Sequence, residues 1–231
     1  MKKVFILALI SMFVVATHAQ IVSSRSTGIT REKVENNNWS TLYLQWNPSS
    51  AVPSKGDSKT FTGFSIGYNK AIGLTQQAPL YLEFGLGVQY SYRSDTKKEV
   101  YNTGYGYQTY ELDEKFSMLS AKVPFQLDYV YNIPNTSVDI IPNAGLDFRF
   151  NILGKIKYEG GGYSESRNLF DKDDMGGDDY TWNRFQVGWH IGLNARFNKK
   201  YLLGVSYGTD FSEIAKEVKI HTTSVTLGLC F

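Results

Sequence analysis

The sequence predicts an all-β fold, an eight-stranded antiparallel transmembrane β-barrel behind an N-terminal signal peptide. Three observations carry it. From Leu80 to Tyr92 every second residue is large and apolar (Leu80, Leu82, Phe84, Leu86, Val88, Tyr90, Tyr92), with Tyr81, Glu83, Gly85, Gly87, Gln89 and Ser91 between them, small or polar except for the first. A period of two sends these sets to opposite faces of a strand. The stretch exceeds the roughly 5–6 residues of a soluble strand and matches the roughly 9–11 needed to cross a bilayer at a tilt. Seven further segments repeat the pattern. The chain also opens with Lys2 and Lys3, an apolar run from Val4 to Ala16 broken only by Ser11, and then Thr17-His18-Ala19, the pattern of a cleaved secretory signal.

Residues 1–19 are therefore read as signal peptide. Residues 20–37, polar and without period, are read as a periplasmic tail, and 38–231 as the barrel domain. The first strand segment is about Trp39–Trp46, with Leu42, Leu44 and Trp46 on one face. The second, Phe61–Asn69, sets Thr62, Phe64, Ile66 and Tyr68 against Gly63, Ser65, Gly67 and Asn69; the third is Leu80–Tyr92. The fourth, Phe116–Tyr131, alternates Leu119, Ala121, Val123, Phe125, Leu127, Tyr129 and Tyr131 with Ser120, Lys122, Gln126 and Asp128. Pro124 falls on its polar face, where a residue without an N–H predicts a local irregularity. The fifth is Val138–Ile152, the sixth Arg184–Phe197, the seventh Tyr201–Phe211 and the eighth Lys219–Phe231.

Connections of unequal length separate them. Asn47–Lys59, Arg93–Lys115, Leu153–Asn183 and Ser212–Val218 are long, whereas Asn132–Ser137 and Asn198–Lys200 are short; Lys70–Pro79 is intermediate. Long exterior loops alternating with short periplasmic turns are expected of an outer-membrane barrel, and an even strand number puts both termini on the periplasmic side.

Composition narrows the class. The chain has 24 Lys+Arg against 22 Asp+Glu, and loss of Lys2 and Lys3 with the signal leaves a formally neutral protein. No basic patch points to nucleic acid. The single cysteine, Cys230, excludes an intrachain disulfide framework and a cysteine-cluster metal site. Sixteen Tyr, 14 Phe, 4 Trp and 21 Gly suit aromatic girdles outside and small residues inside a membrane barrel.

A soluble lipocalin-like barrel is the competing arrangement, with its apolar face inward. The polar face here consists of Gly, Ser, Asn and Gln with scattered charges, and no helical segment is present to cover an exposed apolar sheet. Together with the strand length, the secretory signal and the C-terminal Phe231, this favours the apolar face toward lipid.

The signal ending at Ala19-Gln20, the Val123-Pro124-Phe125 strand, the Asn143-Ala144-Gly145-Leu146 strand and the terminal Phe231 resemble the small outer-membrane β-barrel proteins of Bacteroidetes, PorT-like or outer membrane protein β-barrel domain proteins. The resemblance covers about residues 38–231. It implies the fold, and insertion by the outer-membrane assembly machinery with the last strand as signal. PorT itself is associated with a protein secretion system. No catalytic residues are implied.

On the inward face the period places Glu83, Lys122, Asp128, Asp147, Arg149, Arg184, His190, Arg196 and Asp210. Ionisable groups at membrane depth mark either an ion path or a site. With both signs on neighbouring strands, mutual pairing is the expected arrangement, because an unpaired buried charge is costly. Asp171, Asp173, Asp174, Asp178 and Asp179 with Gly176 resemble the start of a calcium loop, but its twelfth position is Trp182, so a solvated acidic loop is expected. His221 with Thr222 and Ser224 is the candidate for lipid-modifying catalysis, without a supporting motif. Cys230 is expected inward and inert. Tyr101, Tyr105, Tyr107 and Tyr110, spaced by Gly104 and Gly106, are either boundary anchors or a recognition surface.

The expected protein is a monomer in contact with outer-membrane lipid and lipopolysaccharide. It has no open pore, no catalytic, cofactor or metal site, and a structural or interaction role in envelope integrity, adhesion or a secretion complex. The alternatives are a lipid A-modifying enzyme and a narrow-channel transporter.

Overall fold

The computed structural model describes residues 38–54, 57–75, 78–102, 107–160 and 162–231. The expected signal peptide, the tail and Tyr105 lie outside them. Eleven strands form one sheet: β1 Trp39–Trp46, β2 Ser49–Pro53, β3 Lys59–Gly73, β4 Leu80–Asn102, β5 Tyr107–Tyr129, β6 Tyr131–Asn132, β7 Val138–Gly160, β8 Tyr163–Asn168, β9 Phe185–Phe197, β10 Tyr201–Asp210 and β11 Val218–Cys230. A four-residue helix, α1 (Lys172–Met175), lies between β8 and β9.

Eight staves close on themselves. The first stave, β1 continued by β2, pairs with β3 on one side and with β11 on the other. Pro48 interrupts the stave, yet Asn47 still donates to the Gly63 carbonyl at 2.7 Å and Thr223 to that of Pro48 at 3.0 Å. Paired residues can be followed around the ring as Trp39, Ala71, Glu83, Gln126, Gly145, His190, Gly208, Thr222 and Ser49. The circuit thus returns to the first stave ten residues further along. For eight strands this stagger corresponds to a tilt of about 40° and a backbone radius of about 8 Å. That radius leaves room for side chains and little else.

The alternation settles which face is inside. Leu44, Phe64, Leu86 and Leu227 are 58–67% exposed on the outer surface, while Ser65, Gln89, Asp147 and Gln186 are buried inside. Glycine makes the crowding possible. The ring of Tyr43 lies over the paired Gly67 and Gly87, and a Cβ on either would stand 2.4 Å from its hydroxyl.

Three connections expected as loops are partly strand. The stretch after Tyr92 continues as β4 to Asn102 and returns as β5 from Tyr107, so Tyr101 and Tyr107 belong to a hairpin. β7 runs past Ile152 to Gly160 and takes β8 as a further partner. Ser49–Pro53 likewise extends the first stave. Polar, Thr- and Lys-containing sequence hides these extensions, because outside lipid a ladder needs no apolar face. β4, β5 and β7 are each 23 residues long against 10 for β10 and 13 for β9 and β11. One side of the wall therefore rises well above the other.

The irregularity expected at Pro124 is a gap in pairing. The β4–β5 ladder skips from Phe84–Phe125 to Gly87–Lys122 without changing register. The true bulge lies at Leu119/Ser120, where Ile152 is the extra residue on β7.

Candidate functional site

An apolar layer lies at each end of the barrel interior. At the end carrying the C-terminus, Trp39, Tyr81, Val130, Ile141 and Leu202 pack with Ala71 and Cys230. Toward the long-strand end, Phe61, Phe116, Met118, Ile220 and Ala51 pack under Leu169 and Ile214, with Phe170, Met175 and Trp182 laid against them. The long connection after β8 thus folds over the mouth as a cover. Phe116 and Trp182 pack at a tilt of 43° with ring centroids 5.1 Å apart.

Between the two layers most of the charges pair, while Glu83 and Asp128 lie together and are held by neutral amides. Arg196 donates twice to Asp139 Oδ2, at 2.9 and 2.7 Å, and its guanidinium lies 4.3 Å from the Trp39 ring. Gln126 Nε2 donates to Glu83 Oε1 at 3.3 Å and to Asp128 Oδ1 at 2.8 Å, and Asn69 to Glu83 at 2.7 Å. His190 joins Asp147 at 2.8 Å and Gln126 at 3.0 Å, and Lys122 stands 3.2 Å from Asp147. Arg149 holds Asp210 at 3.4 Å. The cavity left among Tyr43, Gln45, Glu83, Lys122 and His190 has a volume of about 50 Å³, space for a few waters.

Eight of the nine charges expected inward are brought into this network. Arg184 is the exception. It sits just before β9, exposed, donating to the Ile152 carbonyl at 3.1 Å and stacking on Phe170 at 4.5 Å. The period fails there because the strand has not yet begun. Asp139, on the polar face of the fifth segment, completes the lumen set as the partner of Arg196.

A second cluster lies above the upper apolar layer. Glu114, almost fully buried, receives Arg93, Lys97 at 2.7 Å and Lys59 at 3.3 Å, and Arg93 also reaches Asp95 at 3.2 Å. Burial alone would raise the Glu114 pKa, but the Lys97 hydrogen bond and the charges of Lys59 and Arg93 outweigh it and hold the carboxyl below its ordinary value. Beside the cluster a pocket of about 510 Å³ opens between the tall wall and the cover, lined by Phe61, Phe116, Tyr158, Met175 and Trp182. None of these residues stood out in sequence, although Arg93 and Lys97 continue the inward parity of β4 and Glu114 that of β5.

The acidic loop serves its own fold. Asp171 caps α1 by accepting from the Asp173 amide at 2.9 Å, Asp174 accepts from the Asn168 amide at 2.8 Å, and Asp178 and Asp179 pair with Lys172 and Lys216. Among the described residues no group of three or more His, Cys, Asp or Glu gathers as a cation site. The His221 constellation also comes apart. His221 points outward and bonds the Tyr207 hydroxyl at 2.9 Å, while Ser224, three residues on, is buried in the lumen. Neighbours and odd-spaced residues on a strand take opposite faces. Cys230 is buried 3.5 Å from the Thr41 hydroxyl.

Comparison with solved structures gives distant likenesses. Ail, the attachment invasion locus protein of Yersinia pestis, is 17% identical over 84% of this chain and 99% of its own, with a TM-score of 0.36. Neisserial surface protein A is 13% identical over 83% and 97%, with a TM-score of 0.41. The outer membrane enzyme PagL is 13% identical over 80% and 97%, with a TM-score of 0.35. Similarity this low assigns no role to the chain. No curated protein matches it. The closed eight-stave ring with apolar residues outside agrees with a family profile described as outer membrane protein beta-barrel domain, which matches residues 5–231. The chain belongs to that family.

Proposed function

We propose that this protein is an integral outer-membrane barrel without an open pore, its termini in the periplasm, that acts through the surface it raises outside the cell. The observation that carries this reading is the contrast between interior and mouth. The lumen is filled by ion pairs and amide-held carboxyls between two apolar layers, whereas β4, β5 and β7 extend far past the lipid-facing band and are joined by β8. A transporter needs a continuous polar path, which both layers oppose. An enzyme needs a nucleophile and base on one face, and His221 is separated from Ser224 by the wall.

In this reading the raised sheet is an interaction platform for adhesion or for a secretion complex, the latter in keeping with the PorT-like resemblance. The last strand, whose Phe231 exchanges backbone hydrogen bonds with Ser40 at 2.8 and 2.9 Å, serves the assembly machinery as its signal. Planar-bilayer recording tests the closed lumen: stable conductance steps from the purified protein would refute it. Deleting residues 101–110 tests the platform. Cell adhesion or in-cell crosslinking should be lost while the barrel stays folded, and unchanged crosslinks would sink the idea.

A further inference from the structure

The lipid-facing wall changes character at one place on the β5–β7–β8 side. The bulge puts two consecutive apolar residues, Ile152 and Leu153, on the outer surface, 41% and 57% exposed, next to Phe150. Directly above them Lys155 stands opposite Ser117 and Asn168, with no carboxylate partner among the described residues. One step higher, Lys115 and Lys157 face each other across the ladder. Like charges directly opposite are unfavourable in a sheet, and both lysines turn to the single Glu159, Lys115 at 2.6 Å. Glu159 and its cross-strand neighbour Asp113 form the next row up.

Heights explain the layering. A strand tilted by about 40° climbs roughly 2.6 Å per residue. Lys155 is then about 5 Å above Leu153, the two other lysines about 10 Å, and the acids about 15 Å. The headgroup layer of a leaflet is roughly 6–7 Å thick, and lysine side chains reach back toward it by several ångströms. Lys155 therefore meets the headgroups directly, whereas Lys115 and Lys157, held up by Glu159, reach them when they swing down from that carboxylate.

We propose that Lys115, Lys155 and Lys157, above Phe150, Ile152 and Leu153, form a binding site for the phosphorylated headgroup of an outer-leaflet lipid. The bulged apolar pair takes the acyl chains and the three ammonium groups take the phosphate, which also relieves the Lys115–Lys157 opposition. The site rests on the membrane-anchored reading but not on the platform or on the closed lumen.

The test is retention of lipid A, with and without its phosphates, by the full-length protein in zwitterionic nanodiscs, read by native mass spectrometry after detergent extraction. Both faces of a nanodisc are accessible, so the result is independent of insertion direction and of the conductance experiment. Each lysine near a membrane surface is worth about fivefold in binding. Lys155→Gln, which breaks no ion pair, should cut retention about fivefold, and the triple glutamine variant about hundredfold, with the barrel still resistant to heat in electrophoresis. Equal retention of the dephosphorylated lipid, or a folded triple variant that binds as the native protein does, would overturn the site.

Discussion

Replacing Arg196 with methionine tests whether lumen charges are held by partners or merely tolerated by water. Arg196 and Asp139 are 8% and 6% exposed at the side chain, and both Arg196 donors, Nε and Nη2, end on the same carboxylate oxygen at 2.9 and 2.7 Å. Removing one member of a buried pair leaves the other uncompensated, at a cost of about 3–5 kcal/mol. Loss of the guanidinium from the face of Trp39 adds about 0.5–1 kcal/mol, part of which the methionine recovers by packing against that ring. Arg196→Met should therefore destabilise by about 3–5 kcal/mol. Adding Asp139→Leu removes the stranded charge, and the double variant should return to within about 1–2 kcal/mol of the native protein, since an apolar replacement of a whole pair is often neutral. Urea titration of the barrel folded in phosphatidylcholine, followed by tryptophan fluorescence, measures the cycle. A single-variant cost below about 1 kcal/mol, or a double-variant cost equal to the sum of the singles, would refute a dry, paired lumen.

Two glycines on the lumen face should respond differently to alanine. At Gly145 a Cβ falls 2.3 Å from the Phe125 carbonyl oxygen and 2.7 Å from the Gln126 backbone, so the β5–β7 ladder must part; Gly145→Ala should cost roughly 2–3 kcal/mol or more and lower folded yield. At Gly87 the Cβ meets only the tip of Tyr43 at close range, and Gly87→Ala should cost less in the same refolding assay. The mouth cluster should open in acid. Glu114 is held below its ordinary value of 4.5, so its contribution is complete above that value and is lost as pH falls through the lowered one. The fluorotryptophan NMR signal of Trp182 should shift in that acidic window in the native protein and not in Glu114→Gln. An unchanged Trp182 signal on acidification would separate the pocket from the cluster.

Eight of the eleven strands were legible from period alone, because lipid on one side and a crowded lumen on the other impose strict alternation. Where lipid ends the signal ends, so β2, β8 and the raised halves of β4, β5 and β7 carry no clear period and look like loops in the sequence. The Arg93–Glu114 cluster was lost with them, since it lies on those extensions. Arg184 shows the converse: alternation in the sequence starts one residue before the strand does.

Pairing partners were equally out of reach. Arg196 with Asp139 and His190 with Asp147 are separated by 57 and 43 positions, and only the antiparallel register of β7 with β9 brings each to its mate. Alternation along the chain suffices for a membrane barrel of eight staves and for the face each stave shows to lipid, because that choice is made residue by residue in a period of two. Strand pairing in three dimensions sets an apolar layer at each end of the lumen, raises one side of the wall into a sheet, and puts three lysines above a bulge. Those depend on closure and register, which are properties of strand pairs that local alternation does not encode.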